Sequence, residues 1–369
     1  MSDEKRNFVY ILDSGAFSVW RKGERVDINK YAEFVYANKK TFRGGAFNLD
    51  FIDLPERTAT WSRGGLNAIV SSHETGGASK SYENWLELRK LGADTIPVHH
   101  MGDDEIWLKK YLDQTDYIGI GAVAKLDSAR RVHGLDYTWN KYLKNPDGSP
   151  RCRVHGLGLT TVDIMLRYPW YSVDSTRAIA NAAYGSIMLP TKLGEGMSYA
   201  DTGQLSVSNQ IRDASFGKGD IYFLCSKYRQ KLIKEYCEGL GFTLDETLDG
   251  RVLNPKMKNR IKKDAEYTGG TLYDLPPSNE GNGQTDMNNL SAHWEARFAL
   301  NLYVSDQFVR YWRTQGKTIR IYNVVGGGSV FEAFAATVPA INPAARCLVS
   351  YARINDTFLN RLREVANGH

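Results

Sequence analysis

Short apolar runs alternate with longer amphipathic stretches through the first half of the chain. Residues 8–12, Phe-Val-Tyr-Ile-Leu, form the first run, and residues 28–37 carry apolar side chains at helical spacing. Nearly continuous apolar runs are typical of parallel strands that are buried on both faces. The alternation therefore predicts an α/β fold, a (β/α)8 barrel of the TIM type. The other predicted strands are residues 46–49, 67–71, 95–98, 117–123, 153–157, 170–173 and 186–189, and the other predicted helices are residues 82–91, 105–112, 136–143 and 161–168.

The alternation changes near residue 200, and this change divides the chain. Beyond this point the strand-helix pattern is replaced by segments with helical spacing, a run rich in Lys and Arg, and a loop rich in Gly, Pro and Asn. Apolar runs typical of strands return near the C-terminus. We expect the main part of the barrel, with the catalytic motifs, at residues 1–190. Residues 191–317 are predicted to form a helical, basic insertion that binds nucleic acid. Residues 318–369 are predicted to form βα units that complete the barrel.

The composition excludes several classes of protein. The 369 residues include 42% hydrophobic side chains, enough for a large core, but no apolar run near the roughly 18 residues that span a bilayer. The four cysteines lie far apart and the first six residues are largely polar, so we expect reduced thiols, no secretory leader and a cytoplasmic location. A net charge of +5 permits a polyanionic partner without requiring one.

Polar residues stand where the predicted strands end. The carboxyl ends of the strands carry the active site in a parallel barrel. An aspartate at such a position is often only the N-cap of the next helix, but a whole ring of polar ends favours a common pocket. Asp13 and Asp174 are the best candidates for catalytic residues, because two carboxylates that face one pocket can serve as nucleophile and general acid/base. The six strand ends are Asp13-Ser14-Gly15, Asp50, His99-His100, Gly119-Ile120-Gly121, His155-Gly156 and Asp174-Ser175-Thr176.

Four short motifs, in order, resemble those of the tRNA-guanine transglycosylase superfamily. Residues 13–17, Asp-Ser-Gly-Ala-Phe, resemble its DSGGF motif, and residues 119–123 resemble its glycine-rich base-binding strand. Residues 154–158 resemble its LMGVG segment, and residues 171–176, Tyr-Ser-Val-Asp-Ser-Thr, stand where the family carries its nucleophilic aspartate. The first and last motifs are nearest to DpdA, the branch of DNA 7-deazaguanine transglycosylases of bacteria and phages. The resemblance covers residues 8–184.

The resemblance implies a pentosyltransferase that replaces guanine in DNA with a 7-deazaguanine base similar to preQ0. Asp174 would attack the anomeric carbon, expel guanine and form a covalent glycosyl-aspartate, and Asp13 would then take a proton from the incoming base. Asp50 would accept from the N–H edge of the base. The family has an amide side chain near His100, and the sequence does not decide whether His99 or His100 faces the base. The residues that the resemblance assigns to base binding are Ser14, Asp50, His100, Gly121 and His155.

Two further departures from the family concern metal and chain order. The family's structural zinc needs a tight cysteine cluster with a histidine, whereas Cys225, Cys237 and His293 are poorly spaced as ligands, so we expect no metal cofactor. The family has two βα units before its DSGGF strand, whereas seven residues precede residue 8 here. We therefore hypothesise a circular permutation that pairs residues 348–350 in parallel beside residues 10–12.

DNA and a free 7-deazaguanine base are the expected partners, and no membrane partner is expected. Arg177 follows the predicted nucleophile closely, and Lys256, Lys258 and Arg260 belong to a basic run, so these four cations are predicted to contact phosphates. A solvated helix face is the alternative explanation of the basic run. A base in a duplex must also be flipped out, or be single-stranded, before its anomeric carbon can be attacked.

Three other functions stay open on the sequence alone. A tRNA could replace DNA as the substrate, and only a contact to the 2′-hydroxyl would discriminate between them. A retaining glycoside hydrolase also places two carboxylates at a barrel mouth, but it needs no third acid such as Asp50 aimed at a base. The third alternative is a catalytically silent barrel that only binds nucleic acid. In that case Asp174→Ala would leave the cellular phenotype unchanged.

Overall fold

The structure, a computed structural model, describes residues 8–16, 25–51, 77–121, 128–159, 161–208, 220–245, 286–325, 330–332, 334–335 and 346–367. The chain divides into two compact units. Unit one contains Met1–Thr176, Lys317–Phe331 and Asn342–His369. Unit two contains Arg177–Gly316 and Glu332–Ile341. Three separate stretches of the chain therefore assemble unit one.

A curled, seven-stranded parallel sheet forms the centre of unit one. Helices accompany this sheet, so the predicted α/β class is confirmed. The strands of unit one are β1 (Val9–Asp13), β2 (Val98–His100), β3 (Tyr117–Gly121), β4 (Arg153–Gly156), β5 (Ser172–Ser175), β9 (Ile321–Val325) and β10 (Arg346–Ser350), and three further strands, described below, belong to unit two. The strands of unit one lie side by side in the order β1-β10-β9-β5-β4-β3-β2.

Strand β1 illustrates why the apolar runs form this sheet. Tyr10, Ile11 and Leu12 are all fully buried, although successive side chains of a strand point to opposite faces. Ile11 packs on one face in a cluster with Val98 and Leu348 from β2 and β10. A strand covered on both faces needs an apolar side chain at nearly every position, which the run at residues 8–12 supplies.

Backbone hydrogen bonds attach residues 44–48 to the sheet on two sides. The Leu12 amide donates to the Gly45 carbonyl at 3.0 Å, and the Phe47 amide donates to the Leu12 carbonyl at 2.8 Å. On the other side, the Ile96 amide donates to the Ala46 carbonyl at 2.7 Å, and the Ile96 carbonyl accepts from Asn48 at 2.8 Å. These residues form parallel bridges to β1 and to Ile96, which lies two residues before β2.

Strand β10 pairs with β1 in parallel, as the permutation hypothesis predicts. Ile11 lies opposite Leu348, Leu12 opposite Val349 and Asp13 opposite Ser350. The pairing predicted for residues 348–350 is therefore confirmed. Strand β9 then pairs in parallel with both β10 and β5, so the C-terminal strands lie inside the sheet between β1 and β5.

Helices connect the strands of unit one, and aspartate caps explain where two of them begin. The Asp27 carboxylate accepts from the amides of Asn29 and Lys30, at 2.9 and 3.1 Å. The Asp104 carboxylate accepts from the Ile106 amide at 2.9 Å. Each cap satisfies amides that have no partner inside the helix. The helices of unit one are α1 (Ile28–Asn38), α2 (Gly77–Lys90), α3 (Glu105–Leu112), α4 (Ser128–Thr138), α5 (Val162–Arg167) and α9 (Asp356–Asn367).

Helix α4 departs from the sequence prediction of a helix at residues 136–143. It begins at Ser128, in a polar stretch that carries little apolar periodicity, and it continues as a π-helical turn, Trp139–Leu143. Trp139 is fully buried and stacks on Tyr168 with a centroid distance of 5.8 Å. The apolar signal therefore marks only the end of the helix, where packing is densest.

Unit two contains a second, three-stranded sheet. Strand β6 (Ser186–Lys192) pairs antiparallel with β7 (Ser198–Ser206), and β8 (Asp220–Ile221) pairs in parallel with β7. Gly194 and Gly196 adopt left-handed φ angles of 79° and 70° between β6 and β7, which turns the chain back on itself. Residues 186–189, predicted as a strand of the barrel, are thus a strand of this hairpin. The helices of unit two are α6 (Arg177–Ala183), α7 (Lys227–Gly239) and α8 (Trp294–Thr314).

The buried side chain of Asn301 joins three elements of unit two. Its amide nitrogen donates to the carbonyls of Ala178 on α6, at 3.0 Å, and Ser186 on β6, at 3.3 Å. Its side-chain oxygen accepts from the amide of Met188. Asn301 itself lies on α8, so one residue satisfies backbone groups of a helix and a strand in the interior of the unit.

Two sequence predictions lie outside the described residues. These are the strand predicted at residues 67–71 and the basic run that contains Lys256, Lys258 and Arg260. Within the described part of the chain, no helix combines the length and the hydropathy that crossing a membrane requires.

Asn301→Ala is expected to destabilise unit two. The substitution leaves the carbonyls of Ala178 and Ser186 and the amide of Met188 without the side chain that satisfies them. We expect the free energy of unfolding to fall by about 3 kcal/mol, because each unsatisfied buried polar group costs about 1–3 kcal/mol. Chemical denaturation followed by circular dichroism measures this change. The control is Asn288→Ala, which removes an exposed amide from the same unit, and equal midpoints for the two variants would contradict the prediction.

Candidate active site

Parallel strands bring polar side chains to one edge of the sheet in unit one. Asp13 is the last residue of β1, His100 is the last residue of β2, and Gly121 is the last residue of β3. Asp174 is the third of the four residues of β5. The structure thus places the two predicted catalytic carboxylates at the carboxyl ends of strands in the same sheet, where ligands bind in parallel α/β proteins.

One oxygen of Asp174 is held by two N–H donors. The backbone amide of Gly158 donates to Oδ1 at 2.7 Å, and Nε2 of His155 lies 3.2 Å from the same atom. The Asp174 side chain retains 9% of its exposure, whereas the His155 side chain is completely buried. Among the described residues, none donates a hydrogen bond to the other oxygen, Oδ2. Within the described part of the chain, Asp174 therefore has one oxygen held by two donors and one that no donor holds.

A chain of hydrogen bonds continues from His155 into the protein. Nδ1 of His155 lies 2.8 Å from the Ser172 hydroxyl, which lies 3.1 Å from the hydroxyl of Tyr117. All donors are paired when Tyr117 donates to Ser172, Ser172 donates to Nδ1, and Nε2–H donates to Asp174, an assignment made from the network. The His155 ring also packs on Phe47, with a centroid distance of 4.8 Å. These contacts fix the orientation of the ring.

Asp13 differs from Asp174 in its electrostatic environment. Burial and the nearby charge of Asp174 raise the pKa of Asp13 to about 6, although a hydrogen bond from the Gly15 amide favours the charged form. The influence of Asp174 on this pKa indicates that the two carboxyls share one region of the site. An aspartate that titrates near pH 6 can both give and take a proton close to neutral pH, as a general acid/base must.

Asp50 and Asp103 lie on either side of His100. Nε2 of His100 is 3.4 Å from Oδ2 of Asp50, and Nδ1 is 3.9 Å from Oδ2 of Asp103. Burial and the charges of Asp103 and Asp13 raise the pKa of Asp50 well above its usual range, and the Asn48 amide, 3.4 Å away, opposes this shift. Asp50 therefore holds its proton to a higher pH than an exposed aspartate and can present both a donor and an acceptor.

The structure distinguishes the two adjacent histidines. Successive side chains of a strand point to opposite faces, and it is His100 that faces Asp50, while His99 is buried on the other side. Gly121 makes room for His100, since a Cβ at Gly121 would lie 2.5 Å from Cδ2 of the ring. Gly121 therefore acts on the predicted base pocket through His100. Ser14 is buried beside Asp13, and its hydroxyl accepts weakly from the Ala16 amide at 3.5 Å.

Four side chains of this site were not predicted from the sequence. Ser172 precedes Asp174 by two positions, so the period-two rule for strands could have placed it on the same face. Asp103 and Tyr117 carry no such signal. Asp103 follows β2 and reaches His100 three residues earlier in the chain, whereas Tyr117 reaches Ser172 from another strand. Tyr31 donates to the Phe47 carbonyl at 2.7 Å, and burial and the charges of Asp13 and Asp50 raise its pKa well above the usual range. Tyr31 therefore lies close to both carboxyls.

Arg177, one of the four cations predicted to contact phosphate, belongs to unit two. Its guanidinium donates to the Thr202 carbonyl at 3.1 Å and to the Thr202 hydroxyl at 3.5 Å. Burial lowers the pKa of Arg177. Its role towards nucleic acid, like that of the three cations outside the described residues, stays a prediction.

Metal ligation has no obvious candidate in the described part of the chain. No group of three or more His, Cys, Asp or Glu side chains there is arranged to hold a metal ion. All four cysteines are free thiols, and Cys225 is partly buried while Cys237 is fully buried. The expectation that no metal cofactor is needed stays a prediction.

The site thus contains four carboxyls, and three of them have clearly different environments. Asp174 is oriented by two N–H donors, the pKa of Asp13 is about 6, and the pKa of Asp50, beside His100, is raised well above its usual range. Such a division of roles is typical of sites that combine covalent and acid/base catalysis. The chain matches no protein-family model, and no curated protein matches it.

Asp13→Asn is expected to stabilise the protein above pH 6. The raised pKa means that charging Asp13 costs free energy in the folded state, a cost that develops between about pH 4 and pH 6 as the pH rises. The neutral amide avoids it, so we expect the variant to be more stable than the wild type by up to about 3 kcal/mol above pH 6, with no gain below pH 4.

Unfolding free energies measured from pH 3.5 to pH 8 test this expectation. The matched control is Asp94→Asn, which removes an exposed carboxylate from the same unit. A gain that is independent of pH, or of equal size in the control, would contradict the account of Asp13.

Proposed function

We propose that this protein is a transglycosylase that exchanges guanine in DNA for a 7-deazaguanine base. The proposal rests on one observation, the pair of Asp174 and Asp13 at one sheet edge. Asp174 has one oxygen held by donors and one that can attack, and Asp13 has a pKa of about 6. This pair supplies a nucleophile and a proton carrier, the two groups that a double displacement at a glycosidic carbon needs. The motif resemblance at residues 13–17 and 171–176 assigns the same two roles.

We further infer that the sheet of unit one closes into a (β/α)8 barrel. Residues 44–48 would be the eighth strand, since their backbone hydrogen-bonds to β1 on one side and to Ile96 on the other. A closed barrel has no edge strand, and the carboxyl ends of its strands surround one mouth. The four residues expected at that mouth are Asp13, Asp50, His100 and Asp174.

The position of β9 and β10 supports a circular permutation of that barrel. The resemblance places two βα units before the strand that ends in the DSGGF-like motif. Here β9 and β10 come last in the chain and lie directly beside β1. Two units moved from the start of the sequence to its end would leave the order of strands around the barrel unchanged.

The first half of the exchange removes guanine. Oδ2 of Asp174 attacks the anomeric carbon C1′, the bond from C1′ to the purine nitrogen breaks, and its electron pair goes to the leaving guanine. Asp13, protonated in part near neutral pH, donates the proton that neutralises this base. The product is free guanine and a glycosyl ester on Asp174.

The second half reverses these events with a new base. The ring nitrogen of the 7-deazaguanine attacks C1′, its proton passes to Asp13, and the ester bond returns its electron pair to the Asp174 carboxylate. Two displacements at the same carbon retain the configuration of the sugar. Asp13 regains the proton that it gave up, so the enzyme returns to its starting state.

Recognition of the base is assigned to Asp50 and His100. A protonated carboxyl can donate to a ring acceptor and accept from an N–H group, so Asp50 suits the polar edge of a purine. His100 lies beside it and is oriented by Asp103 and by the space that Gly121 leaves. Ser14 and His155 complete the set that the resemblance assigns to the base pocket.

A base-exchange experiment distinguishes DNA from two other substrates. A tRNA presents the same guanine on a ribose, so exchange into tRNA and not into DNA would move the proposal to RNA. A retaining glycoside hydrolase would use Asp174 and Asp13 on a sugar polymer and would need no base. The third carboxyl, Asp50, beside a histidine at the same edge favours a nitrogenous base over that alternative. The proposed partners are thus DNA and a free base. The proposed location is the cytoplasm, or the cytoplasm of the host if the protein comes from a phage.

Exchange of isotope-labelled guanine, or of a preQ0-like base, tests the proposed function. The protein is incubated with the labelled base and with single-stranded DNA, duplex DNA or tRNA, and the polymer is digested to nucleosides for mass spectrometry. We expect label in DNA, and a loss of at least about a thousandfold in Asp174→Asn, whose amide cannot form the ester.

Asp94→Asn is the matched control, because it removes an exposed carboxylate from the same unit and should exchange at the wild-type rate. Absence of label from all three polymers would contradict the proposal, as would full activity in Asp174→Asn.

A further inference from the structure

Two N–H donors meet one oxygen of Asp174, and this arrangement has a kinetic consequence. Gly158 donates from its backbone at 2.7 Å and His155 from Nε2 at 3.2 Å, both to Oδ1. The donors do not contact the oxygen that is free to attack. They therefore act on the charge of the carboxylate without blocking its nucleophilic atom.

We propose that His155 and the Gly158 amide accelerate the second half of the exchange, the breakdown of the glycosyl ester on Asp174. This inference rests on the proposed function and assigns His155 to the reacting carboxylate in place of the base. Ser172 and Tyr117 are positioning residues, which act through His155.

Charge balance explains why the donors favour this step. In the ester, Oδ1 is a neutral carbonyl oxygen, which is a weaker acceptor than a carboxylate oxygen. When the bond from Oδ2 to C1′ breaks, its electron pair returns to the carboxylate and negative charge grows on Oδ1. Meanwhile the ring nitrogen of the base bonds to C1′ and its proton moves to Asp13. Donors already aimed at Oδ1 stabilise this transition state more than the ester that precedes it.

The same donors give the first step no comparable advantage. Before attack, Asp174 is a full carboxylate and the two N–H groups stabilise it most in that state. Attack disperses the charge, so part of that stabilisation is lost on the way to the ester. Removal of a donor should therefore slow ester breakdown without slowing ester formation, which keeps its rate or becomes faster, and the covalent intermediate should accumulate.

The surroundings of His155 suit this role better than contact with a base. Its side chain has no exposed surface, and its ring packs on Phe47 and Tyr322 with centroid distances of 4.8 and 6.0 Å. A carboxylate can only accept, so the proton of the neutral His155 ring lies on Nε2, and Nδ1 accepts from the Ser172 hydroxyl. The Tyr117 hydroxyl, 3.1 Å from that of Ser172, completes this chain.

Single-turnover measurements on full-length variants test the inference. The protein is mixed with guanine-containing DNA, the covalent adduct is followed by intact-mass analysis of quenched samples, and excess free base is then added to measure its breakdown. In His155→Phe, which keeps an aromatic ring but no donor, we expect breakdown to slow by about 10- to 100-fold and the adduct to accumulate. His155→Gln keeps an N–H donor of similar reach and should restore breakdown to within about threefold of the wild-type rate.

Ser172→Ala tests the positioning role. It removes the hydroxyl that orients the His155 ring, so we expect breakdown to slow by about 3- to 10-fold, with ester formation no slower than in the wild type and the KM for DNA unchanged. A purely structural role would shift the thermal midpoint and both rates together.

The outcomes separate this inference from the proposed function. If the wild type exchanges base but His155→Phe slows formation and breakdown equally, with no adduct accumulation, the inference is overturned and the proposed function stands. If the wild type neither exchanges base nor forms an adduct with DNA or tRNA, the proposed function fails and the inference fails with it. Accumulation in His155→Phe with recovery in His155→Gln supports both.

Discussion

The parallel pairing of β10 with β1 is the contact on which the candidate active site depends. It joins Val9–Asp13 to Arg346–Ser350 through five register pairs, and β9 extends the connection from β10 to β5. These two C-terminal strands lie between β1 and β5 and so bring Asp13 and Asp174 to the same sheet edge. Because side chains alternate along a strand, a register slip of one residue would turn Asp13 to the opposite face. The geometry of the two carboxyls therefore depends on residues far away in the sequence.

Like charges at this edge shape the chemistry of the site. Each buried carboxyl is costly to ionise, and each ionised neighbour makes the next ionisation harder. The three carboxyls have different surroundings. Asp174 receives two N–H donors on one oxygen, whereas the pKa values of Asp13 and Asp50 are raised. The result is one carboxyl oriented by two N–H donors beside Asp13, whose pKa is about 6, and Asp50, whose pKa is raised well above its usual range. A site that must attack carbon, move a proton and recognise a polar base needs these three states together.

The sequence predicts the parts of this structure that depend on local patterns. The α/β class, helix α3 at Glu105–Leu112 and the parallel pairing of residues 348–350 beside residues 10–12 all follow from apolar periodicity and motif order. Asp13 and Asp174 could be expected at one edge because both end apolar runs that form parallel strands. Strand β6 shows the limit, since its apolar run does not reveal that the next turn folds it into a separate antiparallel sheet.

Contacts between strands account for the residues that the sequence did not reveal. The hydrogen bond from His155 to Asp174 depends on the register of β4 against β5, and Tyr117 reaches Ser172 from a third strand. Gly121 looks like a base-binding glycine in a motif, yet the nearest atoms to its missing Cβ belong to His100. Such roles arise from side-chain geometry, which neither periodicity nor spacing encodes.

The most direct measurement of the central claim is the mass of the covalent intermediate. Wild-type protein and Asp174→Asn are incubated with a short guanine-containing DNA strand without added base, denatured, and analysed by intact-mass and peptide mass spectrometry. The account predicts a protein-DNA adduct, formed with loss of guanine and mapped to Asp174, that is absent from Asp174→Asn. Binding of the DNA without any adduct, or an adduct that persists in Asp174→Asn, would contradict it.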